Sequence, residues 1–382
     1  MQYKIPYGKQ TIDDADLNAV VETLKSDFLT QGPKVVEFEK QIAEYCGAKY
    51  AVACSSGTAA LHMSYRVLNL KLEEKKVLTT SLSFSATTNA MLYCNLTPEF
   101  VDIDPQNYCI SIEAIEEKLK SDHENYIGIS LVHFAGLPVD MKRIKEIADK
   151  YNLWVVEDAC HALGAELSYD NKISKIGSSE FSSCSTFSFH PVKHITTGEG
   201  GVITTNDDAL YEKLMLLRSH GIKKNSEEKD ELWKQDLIEL GFNYRMPDIN
   251  AALGISQLNK LDGFILKRNE IAKLYDQELT GLPLVLPKSN GSKHKHAYHL
   301  YVILTEKRKD LYHFLREKGI FTQVHYVPIH QMTLYKETLG QNLNLKNTDY
   351  YYERCLSLPI YPKLSREEQS YVISNVRRFF QD

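Results

Sequence analysis

The chain has 382 residues, of which 25% are charged, and a formal net charge of −5 at pH 7. This length exceeds what one compact core usually holds, so it predicts one large domain and a smaller one. Acidic and basic residues are interspersed and form no basic face, which argues against nucleic acid as a partner.

The N-terminal residues 1–7 lack the apolar core of a signal peptide. No later stretch approaches the ~18 apolar residues that a membrane-spanning helix needs, so we expect a cytoplasmic protein without a membrane partner. The seven cysteines are an odd number and include no Cys-x-x-Cys pair. This favours reduced, mostly buried thiols over a disulfide or zinc framework.

The first half of the chain predicts alternating helices and strands. Apolar residues recur at helical spacing between Val35 and Tyr45, and Gly47 follows where a left-handed cap would lie. A second amphipathic helix is predicted over residues 141–151. Such alternation, with nearly continuous apolar strands, predicts a mainly parallel sheet covered on both faces, with ligands beyond the carboxyl ends of its strands. The β-prone runs are residues 50–53, 76–79, 99–103, 127–132 and 154–157.

The second half predicts a smaller domain. Residues 249–279 show one long helical pattern, which suits a helix that joins the sheet domain to the rest of the chain. A strand at 298–304 and a helix at 309–318 predict a compact α+β C-terminal domain. The charged stretch 223–234 is predicted to be a mobile surface loop. We place the boundary near residue 265, which gives a large domain of residues 1–265 and a small domain of residues 266–382.

Lys193 lies between two further predicted strands, residues 185–189 and 201–205. A lysine amine attacks aldehydes and ketones only when it is deprotonated, so such a lysine needs partial burial or cationic neighbours. Most lysines of any soluble chain are solvated surface charges. Partners elsewhere in the sequence must therefore decide what Lys193 does.

One candidate partner is the turn at residues 55–61, which follows a predicted strand and leads into a helix. Its small residues allow backbone amides and hydroxyls to close around a phosphate at a helix N-terminus. An ordinary strand-to-helix turn with a serine cap explains the same residues equally well. The turn contains no Gly-Lys-[Ser/Thr] and is not a Walker loop.

Asp158 and Phe84 are further candidates at the carboxyl ends of predicted strands. A buried carboxylate needs a cation or strong donors, and a protonated pyridine nitrogen is such a cation. A helix N-cap is the alternative for Asp158. Phe84 could stack on a flat cofactor ring or belong to the core. Asn243 and Arg245 are unusual companions in a plain loop.

Taken together, the chain resembles the sugar aminotransferases of the DegT/DnrJ/StrS family. The resemblance implies an α/β fold of the aspartate aminotransferase type, known as fold type I of the pyridoxal-phosphate enzymes. It extends from about Ile5 to Arg377. The segments that carry it, in order, are residues 29–32, 56–61, 84–87, 157–159, 188–193, 198–201, 218–221 and 243–246.

The resemblance implies a role for each candidate residue. Lys193 would carry pyridoxal phosphate covalently and act as the acid and base of both half-reactions. Asp158 would pair with the pyridine nitrogen, Phe84 would stack on the ring, and His161 would lie near the 3-hydroxyl. The phosphate would be held by Gly57, Thr58, Ala59 and Ser188, with Asn243 reaching it from a second subunit. A homodimer with shared active sites follows from that last role.

Narrower strings, such as residues 187–193 and 323–329, are similar to the subgroup of the pseudaminic acid pathway. That subgroup moves an amino group, with glutamate as the family's donor, to the C4 ketone of a UDP-linked 4-keto-6-deoxy-N-acetylhexosamine. His194 departs from the proline expected there. His325 and Tyr326 are substrate candidates, although packing within a small domain explains them equally well.

Other readings of these residues are weaker. The related pyridoxamine-dependent dehydratases have histidine where this chain has Lys193, and a non-catalytic relative would be expected to lose Lys193 or Asp158. His190 and His194 are four residues apart, but Pro191 between them argues against a helix that presents both to a metal ion. We therefore expect no metal site. The exact ketosugar and its nucleotide stay open.

Overall fold

The structure is a computed structural model, and it describes residues 4–170, 172–224, 233–288, 294–339 and 343–381. The first elements in chain order are β1 (Ile5–Pro6), α1 (Asp14–Leu24), α2 (Pro33–Cys46), β2 (Tyr50–Cys54), α3 (Gly57–Leu68), β3 (Lys75–Thr80), α4 (Ala86–Leu92), β4 (Leu96–Val101), α5 (Ile112–Asp122), β5 (Tyr126–Val132), α6 (Met141–Tyr151), β6 (Trp154–Asp158), β7 (Glu166–Tyr169) and β8 (Lys172–Lys175). There follow β9 (Cys184–Ser188), β10 (Gly201–Thr205), α7 (Asp208–Arg218), β11 (Ile222–Lys224), β12 (Gln235–Leu237), α8 (Asp248–Leu258), α9 (Leu261–Leu279), β13 (His294–Lys295), β14 (Tyr301–Leu304), α10 (Arg308–Glu317), β15 (Ile320–Phe321), α11 (Thr333–Leu339), α12 (Lys346–Arg354), β16 (Cys355–Leu358) and α13 (Arg366–Gln381).

A seven-stranded sheet has the strand order β2-β10-β9-β6-β5-β3-β4. Neighbouring strands pair in parallel except at β10, which runs antiparallel to both β2 and β9. Its strands are buried along most of their length, as expected when both faces are covered. The predicted mainly parallel α/β sheet is confirmed.

Local sequence explains where the helices next to this sheet begin and end. Helix α2 starts at Pro33, whose fixed φ suits the first turn, and ends before Gly47 with φ of 77°. Helix α6 is capped by the Asp140 carboxylate, which accepts a hydrogen bond from the amide of Arg143. Both predicted helices are therefore confirmed within one or two residues.

Two apolar clusters are joined by helix α9. Leu261 and Ile265 belong to the cluster around the sheet, whereas Ile271 and Tyr275 belong to a second cluster formed largely by C-terminal residues. This path matches the connecting helix that the sequence predicts. The boundary near residue 265 stays a prediction.

The N-terminal residues pack against the C-terminal part of the chain. Strand β1 pairs in parallel with β15, with Ile5 opposite Ile320, and Ile5 is fully buried. The carbonyl of Tyr7 accepts a hydrogen bond of 3.0 Å from the amide of Ile360. Ile5 thus belongs to the C-terminal cluster although it is far from it in sequence, whereas the Tyr7 side chain packs against the cluster around the sheet.

Two predicted elements need correction. The helical pattern of residues 249–279 forms two helices, α8 and α9, that are interrupted at Asn259 and Lys260. The Lys260 amine there donates hydrogen bonds to Asp13, the N-cap of α1, and to Asp16 within α1. The strand predicted at 298–304 begins only at Tyr301.

Other predictions about loops and cysteines can also be compared with the structure. Residues 222–224 form β11, which pairs with β12, so the predicted loop at 223–234 is wrong at its start. Residues 225–232 lie outside the described residues. All seven cysteines are free thiols, and all but Cys160 are buried, as predicted. Among the described helices, none combines the length and apolar character required to cross a membrane.

Candidate active site

A cavity of about 430 Å³ opens where β6 and β9 end and α3 begins. This is the edge of a parallel sheet at which ligands are expected to bind. The structure brings most of the predicted site residues to its wall. Those that line it are Gly57, Thr58, Phe84, Asp158, His161, Ser188, Lys193, His325 and Tyr326.

Lys193 lies on the loop between β9 and β10, which is closed by a hydrogen bond of 2.9 Å from the amide of Phe189 to the carbonyl of Gly200. Its side chain is half-buried and lines the cavity. Burial lowers the pKa of Lys193, although Cys160 and Asp158 act in the opposite direction. A lower pKa enlarges the neutral fraction of the amine, and the neutral amine is the form that attacks carbonyls and accepts protons.

Helix α3 begins directly beside this loop. The Ser56 hydroxyl caps it by accepting a hydrogen bond of 3.0 Å from the amide of Ala59. A Cβ on Gly57 would lie 2.7 Å from the Cβ of Ser188, so glycine permits the first turn to approach β9 closely. The free amides and the helix dipole at this turn favour an anion beside Gly57 and Thr58.

Asp158 is the last residue of β6, and its buried carboxylate faces the cavity. The Thr87 hydroxyl donates a hydrogen bond of 2.6 Å to one carboxylate oxygen, and the amide of Cys160 donates one of 3.2 Å to the other. The Ser83 hydroxyl is 2.7 Å from that of Thr87. These contacts fix the direction in which Asp158 can accept a further hydrogen bond.

His161 and Tyr326 meet at the cavity wall, where the Tyr326 hydroxyl is 3.0 Å from Nε2 of His161. Burial, together with the nearby Lys193 charge, places the pKa of His161 well below its usual value. Burial also raises the pKa of Tyr326, so the phenol keeps its proton. This corner of the cavity therefore offers hydrogen-bonding groups without charge.

Phe84 and His325 occupy the same wall. Phe84 is 59% exposed, and its ring centroid is 6.2 Å from that of Tyr326. Covering so exposed an apolar ring with another flat ring is favourable. Nδ1 of His325 is 2.8 Å from the Ser357 hydroxyl, and burial lowers the pKa of His325 to about 3.

Two predicted residues do not line the cavity. Ala59 is buried, and its amide is already used by the Ser56 cap. Asn243 is exposed, forms a short backbone bridge with Ser219 and is not among the residues that line this cavity. Its predicted contact from a second subunit stays a prediction.

Three site residues were missed by the sequence analysis. Thr87 holds Asp158, and it belongs to a segment in which only Phe84 was singled out. Tyr7 lines the cavity with its ring 4.9 Å from that of His325. His299 lines it as well, although its segment was predicted as a strand and the residue itself was given no role at the site.

A metal centre finds no support in the residues that the structure describes, where no group of three or more His, Cys, Asp and Glu is placed to hold an ion. His194, one of the two histidines considered for such a site, is buried with Nε2 at 3.2 Å from the carbonyl of Ala297. That nitrogen therefore donates to the backbone.

Comparison with known proteins agrees with the resemblance. Residues 10–377 match the model of the DegT/DnrJ/EryC1/StrS aminotransferase family. A UDP-4-amino-4,6-dideoxy-N-acetyl-beta-L-altrosamine transaminase of Campylobacter jejuni is 40% identical over 373 residues, which cover 96% of this chain and 95% of that protein.

Solved structures give the same answer. PseC of Helicobacter pylori, an aminotransferase involved in the biosynthesis of pseudoaminic acid, superimposes with a TM-score of 0.90 at 34% identity over 99% of both chains. Spr1654 of Streptococcus pneumoniae in its PLP form has a TM-score of 0.90 at 27% identity over 99% of both chains. Since the family model and these similarities extend over nearly the whole chain, the protein belongs to the DegT/DnrJ/EryC1/StrS aminotransferase family.

Proposed function

We propose that the protein is a pyridoxal-phosphate-dependent aminotransferase that moves the amino group of L-glutamate to the C4 ketone of a UDP-linked 4-keto-6-deoxy-N-acetylhexosamine in pseudaminic acid biosynthesis. The observation that carries the proposal is the Lys193 amine, with its lowered pKa, in one cavity with the Asp158 carboxylate and the start of α3. Relatives named for this transamination in Campylobacter jejuni and Helicobacter pylori support the choice of sugar.

The residues around the cavity fit pyridoxal phosphate. In the described chain Asp158 has hydrogen-bond donors but no salt bridge, so its carboxylate suits a protonated ring nitrogen. The amides at Gly57 and Thr58 would hold the phosphate, with the hydroxyl of Ser188 beside them. The exposed ring of Phe84 would cover one face of the pyridine.

When bound, the cofactor supplies an electron-poor ring that stabilises negative charge on the carbon that loses its proton. Lys193 would hold the cofactor through Nζ and would be released when the donor amine takes its place. The freed Nζ accepts the proton from Cα of the amino acid in the first half-reaction. It delivers a proton to C4 of the sugar in the second. Both transfers require an amine that changes charge easily, which burial of Lys193 favours.

The homodimer with shared active sites belongs to the same proposal. Asn243 is exposed and lines no part of its own chain's cavity. Six large apolar side chains in the segment from α1 to the start of α2 are also exposed, and exposed apolar side chains favour burial against another protein surface. They are Leu17, Val21, Leu24, Phe28, Leu29 and Val36.

We also propose that the protein acts in the cytoplasm. Seven free thiols, six of them buried, are typical of a reducing compartment.

A substrate panel tests the sugar. Purified protein with pyridoxal phosphate and glutamate is offered 4-keto sugars linked to UDP, GDP and dTDP, and 2-oxoglutarate is measured. We expect the highest kcat/KM with the UDP-linked 4-keto-6-deoxy-N-acetylhexosamine. Preference for a GDP- or dTDP-linked sugar would favour the second candidate, an aminotransferase of the same family for another nucleotide-linked 4-ketosugar. Absence of 2-oxoglutarate with every sugar would favour a non-catalytic relative.

Subunit mixing tests the shared site. Lys193→Ala and Asn243→Ala proteins are each expected to be nearly inactive, because one loses the amine and the other a phosphate contact. A mixture of the two forms hybrid dimers in which one site has both native residues. We expect such a mixture to regain up to about a quarter of the wild-type rate, since half of the dimers at random pairing are hybrids with one intact site of two. No regain above the sum of the separate proteins would contradict the shared site.

A further inference from the structure

In the wall of the cavity, His161 packs against a second imidazole, that of His299, which the proposed chemistry does not use. The rings of His161 and His299 have centroids 4.3 Å apart and planes 31° apart. Both residues line the cavity, and both are at most 4% exposed. Nδ1 of each ring is buried without a hydrogen-bond partner in the described part of the chain. A buried nitrogen without a hydrogen-bond partner costs free energy, and here two such nitrogens belong to rings in contact.

The backbone around His299 is held firmly in place. Tyr298 has a φ of 46°, a left-handed conformation that costs free energy in a non-glycine residue. The buried Arg268 guanidinium compensates by donating hydrogen bonds to the carbonyls of Tyr298 at 3.1 Å and Ile360 at 3.0 Å. Because the buried Arg268 cation stabilises this strained backbone, we infer that the position of the neighbouring His299 matters.

The turn at Gly136 fixes the spacing between the two histidines. A Cβ at Gly136 would lie 2.7 Å from the carbonyl oxygen of His161 and 3.1 Å from the amide of His299. Gly136 also accepts a hydrogen bond of 2.9 Å from the amide of Ala297. Its φ of 97° lies in the region that favours glycine, so this close approach depends on glycine.

His194 also packs against His299, with ring centroids 5.6 Å apart. It follows the catalytic lysine in sequence, and its Nε2 donates to the carbonyl of Ala297. His299 is therefore in ring contact with both His194 on the lysine loop and His161 at the cavity. His161 is 4% exposed, and His299 covers part of its ring.

We propose that His299 is a positioning residue, whose ring holds His161 in one dry orientation against the bound cofactor. His299 acts through His161 and is not itself assigned a reacting atom. The inference rests on the proposed function for its catalytic consequence, whereas the effect on His161 concerns the protein alone.

The charges around His161 determine what removing His299 does. The groups that face it are Lys193, His194, His325 and the Tyr326 hydroxyl, and none is an anion that would favour an imidazolium. Burial is the largest cause of its low pKa. Replacing His299 with Ala or Asn opens a void for water beside the ring, so the pKa of His161 should rise toward its ordinary value. His299→Phe keeps a flat ring there and should leave His161 dry.

The first arm of the test uses the protein without cofactor. Histidine Cε1–H resonances are titrated by NMR in wild type, His299→Ala, His299→Asn and His299→Phe, with His161→Gln to assign the peak. We expect His161 to titrate well below an ordinary histidine in wild type and in His299→Phe, and clearly closer to the ordinary value in the Ala and Asn variants. Equal titration in all four proteins would overturn the proposal. If either His299→Ala or His299→Asn does not fold, the other of these two variants and His299→Phe still test the proposal.

The second arm measures transamination against pH. The Ala and Asn variants should gain an acid limb, losing at least about tenfold in kcat near pH 6 relative to pH 8, because a charged His161 no longer offers the same hydrogen bond. A purely structural defect would lower the rate equally at all pH values and would contradict the proposal. His313→Ala, at an exposed position on α10, is the matched control and should keep the wild-type profile. If neither the wild type nor any variant transaminates, the proposed function is wrong. The NMR titration of His161 still tests the role of His299 in that case.

Discussion

A lysine that both holds a cofactor and carries protons must be neutral for part of its cycle. In this chain burial, rather than a cationic neighbour, provides that state, since the groups that influence Lys193 most after burial are Cys160 and Asp158, which favour the charged form. The lowered pKa means that the free amine becomes neutral at a lower pH than an exposed lysine does. Lys193 of the apo-protein should therefore still react with pyridoxal phosphate at pH values where surface lysines are protonated and react little.

Lys193→Ala should abolish this capture and reduce transamination at least ~100-fold, because it removes the only proton carrier that we assign. The measurement is borohydride reduction of the protein with pyridoxal phosphate, followed by mass spectrometry of its peptides. The label should lie on the Lys193 peptide in wild type and be missing in the variant. Lys309→Ala, an exposed lysine on α10, serves as the control and should keep the label. A labelled and active Lys193→Ala protein would refute the assignment.

Thr87→Val tests how Asp158 is held. The substitution preserves shape but removes the hydroxyl that donates a 2.6 Å hydrogen bond to the carboxylate. We expect the Kd for pyridoxal phosphate to rise about tenfold, as loss of a hydrogen bond to a charged group costs roughly 1.5 kcal/mol. Thr79→Val is the matched control, because its buried hydroxyl has no partner in the described chain and should be dispensable. Unchanged affinity in Thr87→Val would show that Asp158 keeps its orientation without this contact.

At this scale the sequence predicted residues whose chemistry is unusual and missed those whose role depends on contact. Lys193 and Asp158 could be singled out because an amine and a buried carboxylate at strand ends need a reason. Thr87 and His299 could not, since a threonine in a helix and a histidine before a strand are ordinary until their neighbours are known. Thr87 contacts Asp158, which is 71 residues away in sequence. His299 contacts His161, which is more than a hundred residues away.

The first turn of α3 shows how an element can be adjusted to its ligand. Gly57→Ala places a methyl group 2.7 Å from the Cβ of Ser188, so the turn and β9 must move apart. We expect the affinity for pyridoxal phosphate to fall at least about tenfold, because the amides at the helix start lose their common direction. Equilibrium binding monitored by cofactor absorbance measures this.

The control for Gly57→Ala is Gly263→Ala, in α9. A Cβ there meets nothing within 4 Å, and the change should stabilise the helix by roughly 0.5–1 kcal/mol without affecting cofactor affinity. Cofactor affinity that falls equally in both proteins would mean that general loosening, and not the contact with Ser188, is responsible.

Elements with a strong pattern were predicted well. The strands of the central sheet are continuous apolar runs, because helices cover both of its faces, and each predicted run overlaps a strand. The failures lie at the ends of elements. The helical pattern is interrupted at Asn259 and Lys260, where the Lys260 amine donates hydrogen bonds to Asp13 and Asp16. The carbonyl of Tyr298 is taken by Arg268 instead of a neighbouring strand.

At the scale of the whole molecule, buried neutral histidines make stability depend on pH. Burial lowers the pKa of His296 to about 3, while an unfolded histidine titrates near 6.5. The unfolded state thus binds a proton below about pH 6.5 that the folded state refuses. Stability is fully present above that pH and is lost as the pH falls toward about 3.

His296→Asn removes this share of the acid sensitivity. The amide oxygen of Asn can accept the 2.8 Å hydrogen bond that the amide of Tyr298 now donates to Nδ1 of His296. Between pH 7 and pH 5 the free energy of unfolding should fall by about 2 kcal/mol less in the variant than in wild type. Urea unfolding at both pH values, at one protein concentration, gives the difference. His313→Asn, an exposed position, should behave like wild type, and the same fall in all three proteins would count against His296.

The arrangement of the whole chain was predicted only in part. The α/β class and a C-terminal α+β region follow from the order of elements, which sequence patterns report directly. The docking of residues 5–7 onto β15 and Ile360 has no such pattern, because a strand of two residues gives no periodicity. Tyr7 therefore entered the site only with the structure.

That pairing also decides when the site can be completed during synthesis. Ile5 leaves the ribosome about 315 residues before its partner Ile320. At about 5–20 residues per second, this delay is on the order of 15–60 s. The sheet, with Lys193 and Asp158, can form in that time, whereas the wall at Tyr7 and His325 waits until Ile320 and His325 have been made. Cofactor capture is thus expected to follow synthesis of these residues rather than synthesis of the sheet alone.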